Sequence, residues 1–353
     1  MIREIELQYN KEEIESYIHR FSGTSVLVIG DIILDEYIWG DVTRISPEAP
    51  VPVVEVREET KRLGGAANVI NNIRSLGGKP VLCGVIGNDP NGKEILNMLS
   101  GMQLPVDGII IDPARPTSIK TRIVAHNQQV VRFDRENRVP IGANEVKKLV
   151  DFIEKKIDKL DGIIVADYGK GVISSKLVRG LKELADDSDI IVAVDPNTEN
   201  FEFYQGMDII TPNHHEAGTF CRFKIEDEGA LIRAGEKILG DLDCHSVLIT
   251  QGRDGMTLFE KGETPCHIAT EARKVFDVSG AGDTVIGTLC LGLASGLDLR
   301  TSAIISNFAA GIVVGEIGTS VVTAKELTDV IKSRLRPAAA PYGNANPQDS
   351  GGG

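Results

Sequence analysis

Basic residues are in short supply in this sequence. Its 353 residues carry 38 Lys and Arg against 51 Asp and Glu, a formal net charge of −13. Nucleic acids and anionic membranes are bound by neutralising phosphates with excess Lys and Arg, so this balance excludes both as general partners. A small anionic ligand stays open, because a few local bases suffice. Cysteines are also few. Cys83, Cys221, Cys244, Cys266 and Cys290 are odd in number, widely spaced and without a CxxC pair. That excludes a disulfide framework and reads as reduced thiols of a cytoplasmic protein, several of them buried in apolar runs. No apolar run approaches the length of a membrane span, and the opening MIREIELQYNKEEIESYIHRF is too polar for a signal peptide.

Several catalytic signatures are missing. There is no GxSxG, and the six histidines have no partner spacing that singles one out, so Ser-His-Asp chemistry has no support. No GxGxxG dinucleotide fingerprint follows the first strand. GNDPNGKE (87–94) matches the first seven positions of a P-loop, but Glu94 stands where Ser or Thr would hold Mg²⁺. Pro90 also removes a backbone donor from the would-be cradle, so this motif is rejected.

Hydrophobic content of 42% and charged content of 25% are those of a globular chain with a sizeable core. After a leading amphipathic helix at 10–21, VLVIGDIILD (26–35) is a continuous apolar run ending in acids, the pattern of a buried parallel strand. Similar runs recur at 80–87, 162–168, 190–196, 208–213 and 246–252. Helical patterns at 64–76, 91–100, 143–160, 174–186 and 227–240 lie between them. This alternation predicts an α/β fold, a mostly parallel sheet with helices on both faces. VPVVEV (51–56), IKTRIVAH (119–126) and VVRFD (130–134) instead alternate apolar and polar residues, and predict half-exposed antiparallel strands of a small β-lid. The Pro-, Gly-, Asn- and Ala-rich stretch 337–353 is expected to be disordered.

VFDVSGAGDT (275–284) puts Gly280, Ala281 and Gly282 at the mouth of a helix whose buried face is Val285, Ile286, Leu289, Cys290 and Leu293. Unpaired N–H groups and a positive macrodipole there suit an anion that can approach bare backbone. Asp283, in the first turn, can accept a proton from a nucleophile attacking that anion. The same residues also read as a capped helix after a Gly-rich turn. LGGAANV (63–69) is a second Gly-Gly helix start, where Gly64, Gly65 and Asn68 could meet sugar hydroxyls, or simply begin a helix. TPNHHEAG (211–218) sets Asn213 and Glu216 on one side of a helical turn, a donor pair suited to Mg²⁺ directly or through water. His214 and His215 are expected to diverge as helix neighbours, which argues against zinc. TQGRDGM (250–256) ends a strand with Gly252 and Gly255 in a turn, a place for a nucleotide or an ordinary hairpin.

LGGAANVINNIRSLG and DVSGAGDTVIG together resemble the two signatures of the ribokinase-like (PfkB-type) carbohydrate kinases. NxxE at Asn213–Glu216 and TQGRDG fit the same pattern in the same order, from about Val26 to Thr323. RISPEAPVPV, QQVVRFDRE and ADYGKGV resemble the subgroup that phosphorylates D-glycero-β-D-manno-heptose 7-phosphate at its anomeric hydroxyl, a step toward ADP-heptose and lipopolysaccharide core. The kinase is often fused to a nucleotidyltransferase, an activity not expected on this chain.

The resemblance implies one kinase domain over 1–336, with a β-lid from about 36–60 and 117–135, and ATP and Mg²⁺ as cofactors; the lid's exposed strand edges invite pairing and predict a homodimer through lid strands. It implies that Asp283 is the base and Gly280, Ala281 and Gly282 the anion hole. Asn213, His214, His215 and Glu216 would meet the nucleotide phosphates and Mg²⁺. Thr250, Gly252 and Gly255 would meet the nucleotide, and Asn307 the adenine, unless it is a polar residue on a packed helix. Asp31, Asp35, Gly64, Gly65 and Asn68 would bind the sugar. Candidates for the substrate's phosphate are Arg44, Lys120, Arg122, Arg132 and Lys170, Lys170 foremost. A monovalent-cation site near Asp277 belongs to the same set of family expectations. Fructose-phosphate, ribose or nucleoside kinases and a non-catalytic sugar-phosphate-binding regulator are the competing readings.

Overall fold

The computed structural model describes residues 2–5, 11–126, 128–272, 278–315 and 320–334. The expectations for Asp277 and for the stretch 337–353 lie outside the described residues. In chain order the strands are β1 (Arg3–Glu4), β2 (Ser25–Ile45), β3 (Pro52–Gly65), β4 (Lys79–Gly87), β5 (Ile109–Asp112), β6 (Ser118–Ala125), β7 (Gln128–Arg135), β8 (Gly162–Ala166), β9 (Ile191–Asp195), β10 (Ile209–Ile210), β11 (Ser246–Thr250), β12 (Met256–Glu260) and β13 (Cys266–Ile268). The helices are α1 (Lys11–Arg20), α2 (Ala66–Ser75), α3 (Pro90–Gly101), α4 (Ala143–Glu154), α5 (Ser175–Ser188), α6 (His214–Cys221), α7 (Glu228–Leu242), α8 (Ala281–Ala294), α9 (Leu299–Val313) and α10 (Ala324–Arg334).

The main sheet runs β1-β13-β12-β11-β10-β9-β8-β2-β4-β5, parallel from β11 through β5, with β12 antiparallel to β11 and β13. Strands buried on both faces explain the uninterrupted apolar runs. Along β2, Val26 and Val28 pack into one core cluster and Leu27 and Ile29 into another, one on each side of the sheet. All five cysteines are buried and unpaired.

β2 is longer than the apolar run indicated, because it serves two sheets. Up to Asp31 it pairs with β4 and β8. From Ile32 it leaves them, pairing with β3 antiparallel and β6 parallel, and β7 adds to β6. The stretches found by alternation are these strands of the second sheet, but the half-exposed expectation is corrected for β7, which is exposed along its whole length because it lies at the sheet's edge. Asp31 and Asp35 straddle the crossing, where a parallel sheet opens a crevice beyond its strand ends. The helix expected over 64–76 begins two residues later. Gly64 and Gly65 end β3, and Gly65 turns the chain into α2 with φ of +58°, a conformation that glycine adopts without strain. GNDPNGKE is a capped helix start: the Asp89 side chain accepts from Gly92 N at 2.8 Å and Thr117 N at 2.7 Å, and Pro90 takes the first turn.

Candidate active site

α8 is buried nearly all round, against α9 on one side and α2 on another. Two polar contacts between α2 and α8 set the register of their N-termini. The Thr284 hydroxyl donates to Asn72 Oδ1 at 2.8 Å, and the Asn68 amide donates to Asp283 Oδ2 at 2.5 Å. Gly280 holds φ of +81° to start α8, and above Gly282, beyond the helix's own backbone and its chain neighbours, no atom of the described residues lies within 4 Å of where a Cβ would stand. The first-turn N–H groups of α8 have no carbonyl one turn earlier within the helix. The Ala281 N–H is taken by Val278 O at 3.2 Å, and beside it a positive helix end and free volume coincide at one place.

Asp283 is only 8% exposed. Burial raises its carboxyl to about 6, against the hydrogen bonds from Asn68 and Tyr168 that lower it. Asp35 raises it further and Lys120 lowers it. The Tyr168 hydroxyl donates to Asp283 Oδ1. Asn68 Oδ1, by contrast, is buried with no hydrogen-bond partner among the described residues. An orphaned acceptor beside a desolvated carboxylate is a place for a ligand hydroxyl.

Asp31 does not face this space. Its Oδ2 accepts from Tyr168 N and Lys170 N, both at 3.0 Å, and its Oδ1 from Val172 N at 3.1 Å. The expectation that Asp31 meets sugar is therefore corrected: its carboxylate is filled by the backbone of the 168–172 turn, which it holds in place. Burial, offset in part by those bonds, puts it at about 6 as well. Asp35 does face the site. It pairs with Arg122 at 2.5 Å, and Gly64 leaves it room, since a Cβ there would come 2.1 Å from Asp35 Oδ2.

Four of the five basic candidates lie within electrostatic reach of one another, centred on Lys120. Burial lowers the Lys120 ammonium below its ordinary range; Asp35 opposes this, while Lys170, Arg122 and Arg132 lower it further. Lys170 is buried against Glu136 at 2.6 Å, and Arg132 is exposed, beside Asp134 at 3.1 Å. Arg44 is the exception: β2 runs on past Asp35 and carries it to the strand's exposed far end, opposite Val53.

Asn213 and Glu216 are used locally. Asn213 Oδ1 accepts from His215 N and Glu216 N at 3.0 Å each, and Glu216 Oε2 accepts from Asn213 N at 2.8 Å, a reciprocal cap on α6. The expectation of divergent histidines is corrected, since the His214 and His215 rings lie 3.8 Å apart, tilted by 40°. Among the described residues no group of three or more His, Cys, Asp or Glu side chains could hold a metal ion. Thr250 bridges to Asn213, which joins the two loops, and Gly252 and Gly255 both have positive φ in the turn after β11. The Asn307 amide donates to Ala269 O at 2.7 Å, tying α9 to the segment after β13.

Sequence reasoning missed Tyr168, Glu136, Arg115 and Asp195. Arg115 is buried and donates to the carbonyls of Lys170 and Asn137. Desolvation, with Glu216, Asp283 and Asp167 adding, holds the Asp195 carboxyl well above its ordinary range. The one signal for Tyr168 was its place in ADYGKGV, beside Lys170.

A family model described as pfkB family carbohydrate kinase matches residues 23–326. The chain is 44% identical over 317 residues to a protein of Geotalea uraniireducens named Bifunctional protein HldE, covering 90% of this chain and 65% of that one. The Geobacter sulfurreducens protein of the same name is 43% identical over the same shares. The chain thus spans just under two thirds of the length of these relatives. Among solved structures, Arabidopsis thaliana ribokinase complexed with ribose and ATP superposes with a TM-score of 0.70 at 18% identity, over 88% of this chain and 99% of that one. Phosphofructokinase-2 from Escherichia coli gives 0.72 at 17%, over 88% and 100%. These likenesses make the fold ribokinase-like.

Proposed function

The chain belongs to the pfkB family of carbohydrate kinases, and from that premise we propose that it transfers the γ-phosphoryl group of ATP to the anomeric hydroxyl of D-glycero-β-D-manno-heptose 7-phosphate. The product is the 1,7-bisphosphate, a precursor on the way to ADP-heptose. The observation that carries the reading is the Asp283 carboxylate, desolvated and clamped at the open N-terminus of α8. Asp283 takes the proton of the anomeric hydroxyl as its oxygen attacks the γ-phosphorus. The bond from phosphorus to the β-γ bridging oxygen breaks and ADP leaves. A base near 6 is deprotonated at neutral pH yet basic enough to assist, a match worth about 10²–10⁴-fold in rate. The N–H groups of Gly280 and Gly282 stabilise the transferring phosphoryl oxygens, with Ala281 between them holding the turn through Val278 O.

Asn68 Oδ1 and Asp35 accept sugar hydroxyls, and Lys120, Arg122, Arg132 and Lys170 hold the 7-phosphate. Thr250, Gly252, Gly255, His214, His215 and Asn307 line the nucleotide. Mg²⁺ would be held by Glu216 and Asn213 through water, since the reciprocal cap occupies Asn213 Oδ1 and Glu216 Oε2. When bound, it neutralises phosphate charge. One kinase domain over 1–336 is proposed, with the second sheet as a lid over the sugar. A homodimer through that sheet follows from the exposed Val130, Val131 and Phe133 on its edge strand β7. The proposed location is the cytoplasm; among the described residues no helix is long and apolar enough to cross a membrane. ATP consumption with and without heptose 7-phosphate tests the reading, and a chain that converts no ATP to ADP in the sugar's presence overturns it.

A further inference from the structure

Asp283 is gripped on both oxygens, by groups from separate parts of the fold. Oδ2 accepts from the Asn68 amide of α2, and Oδ1 from the phenol of Tyr168, in the turn after β8. That turn is itself anchored, because Asp31 on β2 accepts from the backbone N–H groups of Tyr168, Lys170 and Val172. The Lys120 ammonium of β6 lies 5.5 Å from the centre of the Tyr168 ring and closes its other side. We infer that Tyr168 is a positioning residue: its hydroxyl fixes the rotation of the Asp283 carboxylate and favours its ionised form, so that the remaining lone pairs face the acceptor hydroxyl. This rests on the reading of Asp283 as the base.

A phenol can do this only while it keeps its proton. Burial, with the negative charges of Asp283, Asp195 and Asp35 adding to it, pushes the Tyr168 hydroxyl well above its ordinary range, so it stays a donor throughout the working pH range. A hydrogen bond to a carboxylate lowers the pH at which it takes up a proton. Tyr168 therefore opposes the burial that raises Asp283. The other charged groups that act on Asp283 are Asp35 from β2 and Lys120 from β6, while Asp195 at the end of β9 is raised in part by Asp283 itself. Removing the phenol oxygen leaves Asp35 and Lys120 in place; Asp195, which the same hydroxyl lowers, is expected to rise alongside Asp283. Tyr168→Phe keeps the ring under Lys120 and deletes only the donor.

The test uses the whole chain, ¹³C-labelled at aspartate carboxyls, without any substrate. The Asp283 signal is identified by its loss in Asp283→Asn. In Tyr168→Phe its titration midpoint is expected to rise by about one pH unit, the scale of one lost hydrogen bond to the charged form. The acidic limb of kcat/KM rises by the same amount. Activity recovers toward that of the unmodified chain at higher pH, and KM for ATP is unchanged. A fluorotyrosine at position 168 keeps the shape and donates more strongly, so its midpoint and limb move to lower pH; this variant decides the matter if Tyr168→Phe does not fold. A midpoint that stays in place in either folded variant overturns the inference, whatever happens to the rate. If the unmodified chain phosphorylates no sugar, the kinase reading fails, and the carboxyl titration still judges Tyr168 separately.

Discussion

The side-chain amide of Asn68 donates to Oδ2 of Asp283 at 2.5 Å, joining residues 215 positions apart. The two Gly-rich segments, each readable as an ordinary helix start, are thereby two halves of one site. Replacing Asp283 by Asn keeps the shape and removes the base. The variant is expected to fold with an unchanged circular dichroism spectrum and to lose about 10²–10⁴-fold in kcat. At pH 7 it should melt no lower than the parent, because a desolvated charge has been taken out of the core.

Two buried carboxyls give the protein a defined response to pH. Asp31 and Asp283 each titrate at about 6 in the fold, against an ordinary value of 3.8. Between those values the folded chain holds protons that the unfolded chain has released, so stability falls as pH rises through this window, and the raised carboxyls of Asp195 and Glu216 add to the same fall. Activity moves the other way, falling below about pH 6 as Asp283 takes up its proton. Urea unfolding and kcat/KM measured across the same pH series check both slopes. Asp283→Asn should flatten the first.

Gly282 separates function from folding. A Cβ there meets no atom of the described residues within 4 Å outside its own helix backbone and chain neighbours, so Gly282→Ala is expected to match or slightly exceed the parent in thermal stability, as alanine favours helix over glycine by about 1 kcal/mol. The methyl group occupies the space assigned to the transferring phosphate. Phosphoryl transfer should drop at least tenfold while the melting curve stays put.

Lys170→Gln tests the phosphate side. Its ammonium is buried against Glu136 at 2.6 Å, and substrate phosphate would compete for it. KM for the sugar phosphate is expected to rise roughly 10–100-fold, the scale of one charged hydrogen bond, with KM for ATP unchanged. Trp39, the only tryptophan, stacks on Tyr37 at 5.6 Å, and the Arg122 guanidinium lies 5.2 Å from the same Tyr37 ring. Its fluorescence reports sugar-phosphate binding independently of turnover.

The fold was legible because strands buried on both faces leave continuous apolar runs, and the strands of the second sheet leave alternation. The extent of β2 was not, since the acids Asp31 and Asp35 that look like the end of a strand mark its passage between sheets. Motif spacing located Asp283, Asn68 and Gly64. It could not separate the roles of Asp31 and Asp35, because the difference lies in three backbone N–H groups contributed by residues 168–172. ADYGKGV drew attention to the segment of Tyr168, but its role was illegible for the same reason: a hydrogen bond across 115 residues leaves no local pattern. The close, tilted rings of His214 and His215 show that side-chain packing can bring together neighbours that helix geometry alone would separate.

The most direct measurement is a kinase assay of the unmodified chain and Asp283→Asn across heptose 7-phosphate, fructose 6-phosphate, fructose 1-phosphate and ribose, with products identified by mass and by ³¹P NMR. The expected result is a heptose 1,7-bisphosphate formed by the unmodified chain in clear preference to the other products, and at most about 1% of that rate from the variant. Preference for ribose or a fructose phosphate, or a variant that retains most of its activity, would contradict the account.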